Sequence, residues 1–253
     1  MSIFLVALRK ELLEQRRTYR LLIAAVVLVV FGLLSPLTAK YTPEILKLLP
    51  EGEAIAQIVP APTTLDAVAQ YLKNTSQFSV ILALLLTMGA VAQEKDKGTA
   101  AMMLVKPLPR GAFLAAKFTA IAFTFAISLA LGAAACYYYT WLLFEALDLT
   151  RWLALNGLLL LFVLVYVAVT LLCSTLTRSS AAAGGLAFGA MLLLAIPGSI
   201  PRLGEYLPGQ LINWGAGLMA GQAAAYWPAV WISAGIIVFA LAAAGLIFQK
   251  QEL

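Results

Sequence analysis

The chain has 253 residues, of which 62% are hydrophobic and 11% charged, with a formal net charge of +5. A soluble domain is about 45–50% apolar and about 25% charged, so this composition excludes an ordinary water-soluble globule and makes lipid the solvent for much of the surface. There is no histidine, which excludes histidine metal sites, histidine haem ligation and any Ser-His or Cys-His nucleophilic pair.

Residues 2–20 place Phe4, Leu5, Leu8 and Leu12 on one helical face and Lys10, Glu14 and Arg17 on the other. That pattern predicts an amphipathic helix along the membrane surface. The basic residues Arg16, Arg17 and Arg20 precede an apolar run over 21–38. This run exceeds the roughly 7–15 residues of a signal-peptide core and reads as a retained first span. A polar segment over 39–74 follows, punctuated by Pro43, Pro50, Pro60 and Pro62. It has room for a short helix over 63–73 capped by Thr63 or Thr64. Further spans are predicted at about 75–92, 118–143, 152–176, 181–200 and 227–248, with a charged loop over 93–117. Residues 201–226 are rich in proline and glycine, and the apolar run within them is too short for a confident span. The predicted fold is all-α integral membrane, a single transmembrane domain over 1–253 with six transmembrane helices.

Six spans put both termini on one side. The face holding the termini, the 93–117 loop and the turn at Arg178 carries twelve Lys and Arg: Arg9, Lys10, Arg16, Arg17, Arg20, Lys95, Lys97, Lys106, Arg110, Lys117, Arg178 and Lys250. The other face carries five, Lys40, Lys47, Lys73, Arg151 and Arg202. The positive-inside rule therefore predicts cytoplasmic termini. All five tryptophans then fall near the outer ends of spans, as an aromatic belt would. Tyr137, Tyr138 and Tyr139 fit the same belt or the lining of a substrate path. The basic residues sit at the ends of apolar runs and form no patch interleaved with aromatics, so nucleic acid is not expected. Cys136 and Cys173 lie inside apolar runs and read as small buried hydrophobes. Gly185 and Gly189 form a Gly-x-x-x-Gly motif that serves either packing within the chain or a dimer contact. No predicted span carries a mid-membrane Asp, Glu, Lys or Arg, which argues against a self-powered secondary transporter.

The 93–117 loop carries the most specific pattern. Gly98 permits a sharp turn off the second span. Thr99 suits the N-cap of a short helix through Val105, and Pro107 and Pro109 prevent its continuation. Read alone, Met102, Met103 and Leu104 belong either to a solvated loop or to a helix that docks in a groove of a soluble partner. The order Glu94, Gly98-Thr99, Met102-Met103-Leu104, Pro107, Arg110, Phe113 and Lys117 resembles the loop between the second and third spans of type-2 ABC transporter permeases. That family has an acidic residue, Gly-Thr, a short apolar helix, a proline, an arginine, an aromatic and a lysine entering the next span. The stretch Arg9-Lys10-Glu11 with Arg16-Arg17 resembles the family's elbow helix, Leu176 to Ser179 its turn between spans four and five, and 201–226 its re-entrant outer hairpin. The resemblance covers the whole chain by topology, and the 94–117 loop is its specific part.

The resemblance implies a prokaryotic plasma-membrane permease that exports an unidentified substrate by alternating access. It assigns Glu94, Gly98, Thr99, Met102, Met103, Leu104, Pro107 and Arg110 to ATPase coupling. Glu94 is expected to pair with a basic residue of the elbow helix such as Arg9 or Arg16. Two copies of a separate ABC ATPase subunit would serve two membrane subunits, as a homodimer or with a homologous permease. The chain has no Gly-x-x-x-x-Gly-Lys-Ser/Thr phosphate loop, so ATP is expected on the partner, with no cofactor or metal on this chain. A membrane scaffold that uses a partner ATPase for mechanical work is the alternative. An intramembrane enzyme lacks its nucleophile, base and metal set.

Overall fold

A computed structural model describes residues 3–47, 60–98, 109–196, 200, 203–222 and 224–251. Every regular element among them is helical. Helix α1 (Ile3–Arg17) turns into α2 (Arg20–Lys47) through Tyr19, whose φ is 59°. The left-handed region there is where helices usually end on glycine. Helix α2 runs on through Pro36 and Pro43, well past the expected end of the first span. Spanning helices tolerate proline because neighbouring hydroxyls re-satisfy backbone carbonyls. Pro36 and Pro43 leave the carbonyls of Gly32 and Ala39 without their helical donors, and the nearby hydroxyls bond other carbonyls one turn back, Ser35 to Phe31 at 2.6 Å, Thr38 to Leu34 at 2.9 Å and Thr42 to Thr38 at 2.6 Å.

Helix α3 (Thr64–Thr87) begins with a full capping box. The Thr63 N–H donates to the Asp66 carboxylate at 2.8 Å, and the Asp66 N–H donates back to the Thr63 hydroxyl at 3.4 Å. The short helix expected over 63–73 is thus the start of the second span and not a separate element. A turn leads to α4 (Ala92–Asp96). Then come α5 (Arg110–Leu143), α6 (Leu149–Leu176, capped by Asp148) and α7 (Ser180–Ala195). A 3-10 turn (Gly204–Tyr206), α8 (Gly209–Met219) and α9 (Trp227–Lys250) complete the described chain.

Among the described residues, five helices are long and apolar enough to cross a membrane: α2, α3 with its continuation to Asp96, α5, α6 and α9. The predicted 181–200 span is a shorter apolar helix of 16 residues, α7. The protein is an all-α integral membrane protein. Helix α6 is the axis, packed against α3, α5, α7, α8 and α9. Val163, Val165, Val167, Ala168 and Leu171 point in different directions from it and are all fully buried, as a helix apolar all round requires.

Helices α2 and α5 cross at Gly32 and Gly132. A Cβ on Gly32 would collide with the Gly132 carbonyl, and one on Gly132 would sit 2.7 Å from the Leu28 carbonyl oxygen. This is the close small-residue approach that membrane helices use. Gly185 and Gly189 are not part of such a crossing: a Cβ on either meets nothing within 4 Å.

The start of α5 touches both α1 and the end of α9, so both ends of the chain meet at one end of the bundle. Helix α9 starts at the opposite end, where Trp227 packs edge-on to Trp214. The chain between Leu176 and Trp227 therefore makes one net passage of the bundle, which α7 begins. Helix α8, 11 residues long, is too short to cross and packs against α6 and α3. The aromatic belt is smaller than expected. Trp141, Trp227 and Trp231 are exposed, but Trp152 and Trp214 are buried, Trp152 against the ring of Tyr71.

Candidate functional site

The terminal end of the bundle holds both flanks of the charged loop, and its architecture starts from a broken helix. Helix α3 stops at Thr87, leaving backbone groups of the turn without helical partners. One hydroxyl repairs the break. Ser174 of α6 accepts from the N–H groups of Val91 and Ala92, both at 3.0 Å, and donates to the Met88 carbonyl at 2.8 Å. The turn lies against α7, where a Cβ on Gly184 would sit 3.0 Å from the Met88 sulfur.

The break sets the direction of α4, which carries Glu94 and Lys95 to different neighbours. Glu94 Oε1 lies 2.8 Å from the Lys117 ammonium of α5 and 3.4 Å from that of Lys10 on α1. Lys117 also lies 3.1 Å from Glu11, and Lys10 lies 2.9 Å from Glu11 and 3.4 Å from Glu14. The Lys117 side chain is 3% exposed and that of Glu11 7%. Charges so far from water persist only when paired. The Lys117 ammonium also stands over the Phe113 ring at 4.9 Å. Burial works against the Lys10 ammonium, but the Glu11 hydrogen bond and the charges of Glu11, Glu94 and Glu14 outweigh it and raise its pKa. Glu11, Glu14 and Glu94 bring carboxylate oxygens within 4.8 Å of one another. Two ammoniums already lie among them, so the cluster is built for ion pairing and not for metal ligation.

Lys95 donates to the Thr175 carbonyl at 2.6 Å and to Gln251 Oε1 at 3.1 Å, and Gln251 donates to Thr175 at 3.0 Å. A cation thus closes the C-terminal end of α6, where orphan carbonyls and the helix dipole favour one. Arg110 does the same for α9, donating to the carbonyls of Phe248, Gln249 and Gln251 at 2.6, 2.8 and 3.0 Å. Phe113 stacks on Phe248 beside it at 5.6 Å. The segment that follows Lys97 therefore leaves from one tied anchor and re-enters at another.

Of the residues singled out in the sequence, Glu94 and Arg110 sit in these anchors. Gly98 has φ 68° with no atom within 4 Å of an added Cβ, so its glycine serves conformation and not close packing. Thr99, Met102, Met103, Leu104 and Pro107 lie outside the described residues. Glu94 does pair with a basic residue of α1, but that residue is Lys10 and not Arg9 or Arg16, and Lys117 of α5 lies nearer. The reason is the orientation of α1. It turns Glu11 and Gln15 inward, 5% and 3% exposed, while Leu5 is 47% exposed and Arg9, Arg16 and Arg17 face out. Sequence reasoning missed Glu11 as a buried ion-pair partner, and it missed Ser174, Lys95 and Gln251. A carboxylate between apolar residues of a short helix was the available signal for Glu11. A serine inside an apolar run gives none.

At the opposite end, a 420 Å³ cavity between α5 and α6 is lined mainly by alanine and leucine, with Tyr137 and Asn156 as polar groups. Asn156 is held by the Tyr71 hydroxyl, which donates to it at 2.6 Å. Tyr137 donates to the Leu147 carbonyl at 3.2 Å, and Tyr138 is exposed.

Residues 5–207 match the family model of ABC-2 family transporter proteins, a stretch that takes in α1 through the 3-10 turn. The chain is also 28% identical, over 215 residues and 83% of either chain, to YxlG of Bacillus subtilis (strain 168), an uncharacterized transmembrane protein. Because that family model covers most of a multi-pass helical bundle, the chain belongs to the ABC-2 family transporter proteins and is a membrane-spanning permease subunit of an ABC transporter.

Proposed function

We propose that this chain is the membrane half of an ATP-driven exporter that alternates access when a separate ATPase closes on ATP. Two membrane subunits, identical or homologous, work with two copies of that ATPase, which holds the nucleotide. The chain crosses a prokaryotic plasma membrane six times with both termini in the cytoplasm. The observation that carries this reading is the bracketing of the 97–109 segment. Glu94 and Lys95 before it, and Arg110 and Lys117 after it, engage α1, α5, α6 and α9. A displacement imposed on that segment by a soluble subunit has rigid routes into four different helices.

The apolar residues Met102, Met103 and Leu104 supply the contact for the ATPase. Met103→Asp or Leu104→Asp puts a charge into an apolar contact at a cost of about a few kcal/mol. Gly98→Val forces a branched side chain into the left-handed region. These variants insert in the membrane normally and lose co-purification with the cognate ATPase, whereas Leu46→Asp at the opposite end retains it. Normal ATPase binding and stimulation by the loop variants would refute the coupling assignment. ATP-dependent flux in liposomes separates export from the scaffold alternative, which predicts stimulated ATP turnover with no solute moved.

A further inference from the structure

The charges of α1 are sorted by face. Its acids, Glu11 and Glu14, are turned toward the bundle with Gln15, and Lys10 stands among them. The opposite face carries Arg9, Arg16 and Arg17, all exposed, with no acid between them. Interleaved with these arginines are three exposed aliphatic residues, Leu5 at 47%, Val6 at 56% and Leu13 at 44%. The helix ends in the turn at Tyr19, itself 65% exposed, and leads directly into α2, a candidate membrane span. The first turns of α2 continue the aliphatic surface with Leu22, Ile23 and Val26 exposed.

Two residues of connection fix α1 at the level where the span begins, so its outward face meets the region where headgroups give way to acyl chains. A face toward water would not expose three aliphatics. A face toward hydrocarbon alone would not present three arginines. Together they match an interface that is apolar inside and negatively charged at its rim. Arginine also matches phosphate with a planar fork of donors, which lysine lacks.

We infer that the outward face of α1 is a binding surface for anionic phospholipid, with Arg9, Arg16 and Arg17 holding headgroup phosphates and Leu5, Val6 and Leu13 set into the acyl boundary. The inference needs only the membrane fold and is independent of the transport reading. A protein partner on this face is the competing occupant. Lipid is favoured because α1 leads through two residues into a candidate membrane span whose first turns expose Leu22, Ile23 and Val26.

The test uses the full chain in mild detergent, exchanged into equal amounts of phosphatidylglycerol and phosphatidylcholine, with retained lipid counted by native mass spectrometry. Wild type retains phosphatidylglycerol preferentially, and raised salt weakens that preference. A basic residue at a membrane surface contributes roughly fivefold, so Arg9→Gln/Arg16→Gln/Arg17→Gln loses on the order of a hundredfold in phosphatidylglycerol affinity. Lys97→Gln/Arg178→Gln/Lys250→Gln removes the same charge from exposed positions at the same end and retains the lipid. Leu5→Gln/Leu13→Gln weakens retention while inorganic phosphate fails to displace the lipid, which separates a headgroup from a free anion. The Glu11–Lys117 pair is untouched throughout, and an unchanged melting temperature verifies folding. Equal retention of the two lipids by wild type, or equal loss in both triple variants, overturns the inference. So does an arginine variant that keeps the lipid and instead loses the co-purifying ATPase.

Discussion

At Lys117 a single ammonium, 3% exposed, answers carboxylates from two other segments, Glu11 of α1 and Glu94 of α4. Breaking a buried pair from one side leaves an uncompensated charge and costs about 3–5 kcal/mol, whereas replacing both partners by apolar groups is often near neutral. Lys117→Met therefore destabilises the detergent-solubilised protein by about 3–5 kcal/mol, and adding Glu11→Leu recovers part of the loss. A double-mutant cycle on thermal or denaturant unfolding measures this, and additive effects would show the pair to be uncoupled. The pH dependence that Lys10 contributes has a definite sign. Its folded pKa lies above the ordinary lysine value, so its contribution is complete below that value and is lost only as pH rises through the higher one. Glycine gives a second contrast at this scale. Gly132→Val drives a side chain toward the Leu28 carbonyl, 2.7 Å from the Cβ position, and backbone cannot step aside. Overpacking of this kind costs about 1–3 kcal/mol. Gly185→Val and Gly189→Val leave the monomer's melting temperature unchanged, since nothing lies within 4 Å of either. If α7 forms the dimer contact, they lower the dimeric mass instead.

Among the elements, the break between α3 and α4 depends on Ser174. Ser174→Ala leaves two N–H groups and one carbonyl without their partner, and an unsatisfied buried group costs about 1–3 kcal/mol. Amide exchange at Val91 and Ala92 should rise while exchange in the middle of α6 stays slow. Unchanged exchange at the break would mean that Ser174 is not its repair. Nothing in the sequence marks this serine, because its role exists only where α6 passes the end of α3. A cap at Thr63 or Thr64 was legible, and the capping box with Asp66 shows it to be Thr63. What that cap starts was not: hydropathy ends a span where polar residues begin, while the backbone stays helical through Asp66 and Lys73. The same effect hid the extension of α2 past Pro36 and Pro43, which read as breakers in the sequence. Helix α1 was legible as amphipathic, but its inward face was not. Apolar periodicity turns Leu5 inward, whereas the Lys117 ammonium in the adjacent helix draws Glu11 there instead. Glu94 and Arg110 were singled out because the loop pattern carried them. Their partners lie in distant helices, at Lys10, Lys117 and the carbonyls ending α9, and only the fold brings these together.

For the whole molecule, the proposed sidedness rests on charge and passage count. Both ends of the chain meet at one end of the bundle, and the sequence's bias of twelve Lys and Arg to five supports the proposed cytoplasmic placement of that end. Among the described residues five helices are long enough to cross, and five alone would leave the termini on opposite sides, so the proposed sixth passage is the one that α7 begins. Single cysteines test both points at once. The native Cys136 and Cys173 are buried, so they contribute little background with a membrane-impermeant thiol reagent. Lys47→Cys, at the end of α2, and Glu205→Cys, in the 3-10 turn beyond α7, both replace exposed residues on the far side. Lys97→Cys replaces an exposed residue on the terminal side. In intact cells the first two react and the third does so only after lysis. Reaction at position 97 before lysis would invert the orientation. Reaction at 47 without reaction at 205 would retain the orientation and show that α7 does not carry the chain across, leaving α8 and the start of α9 to be placed anew.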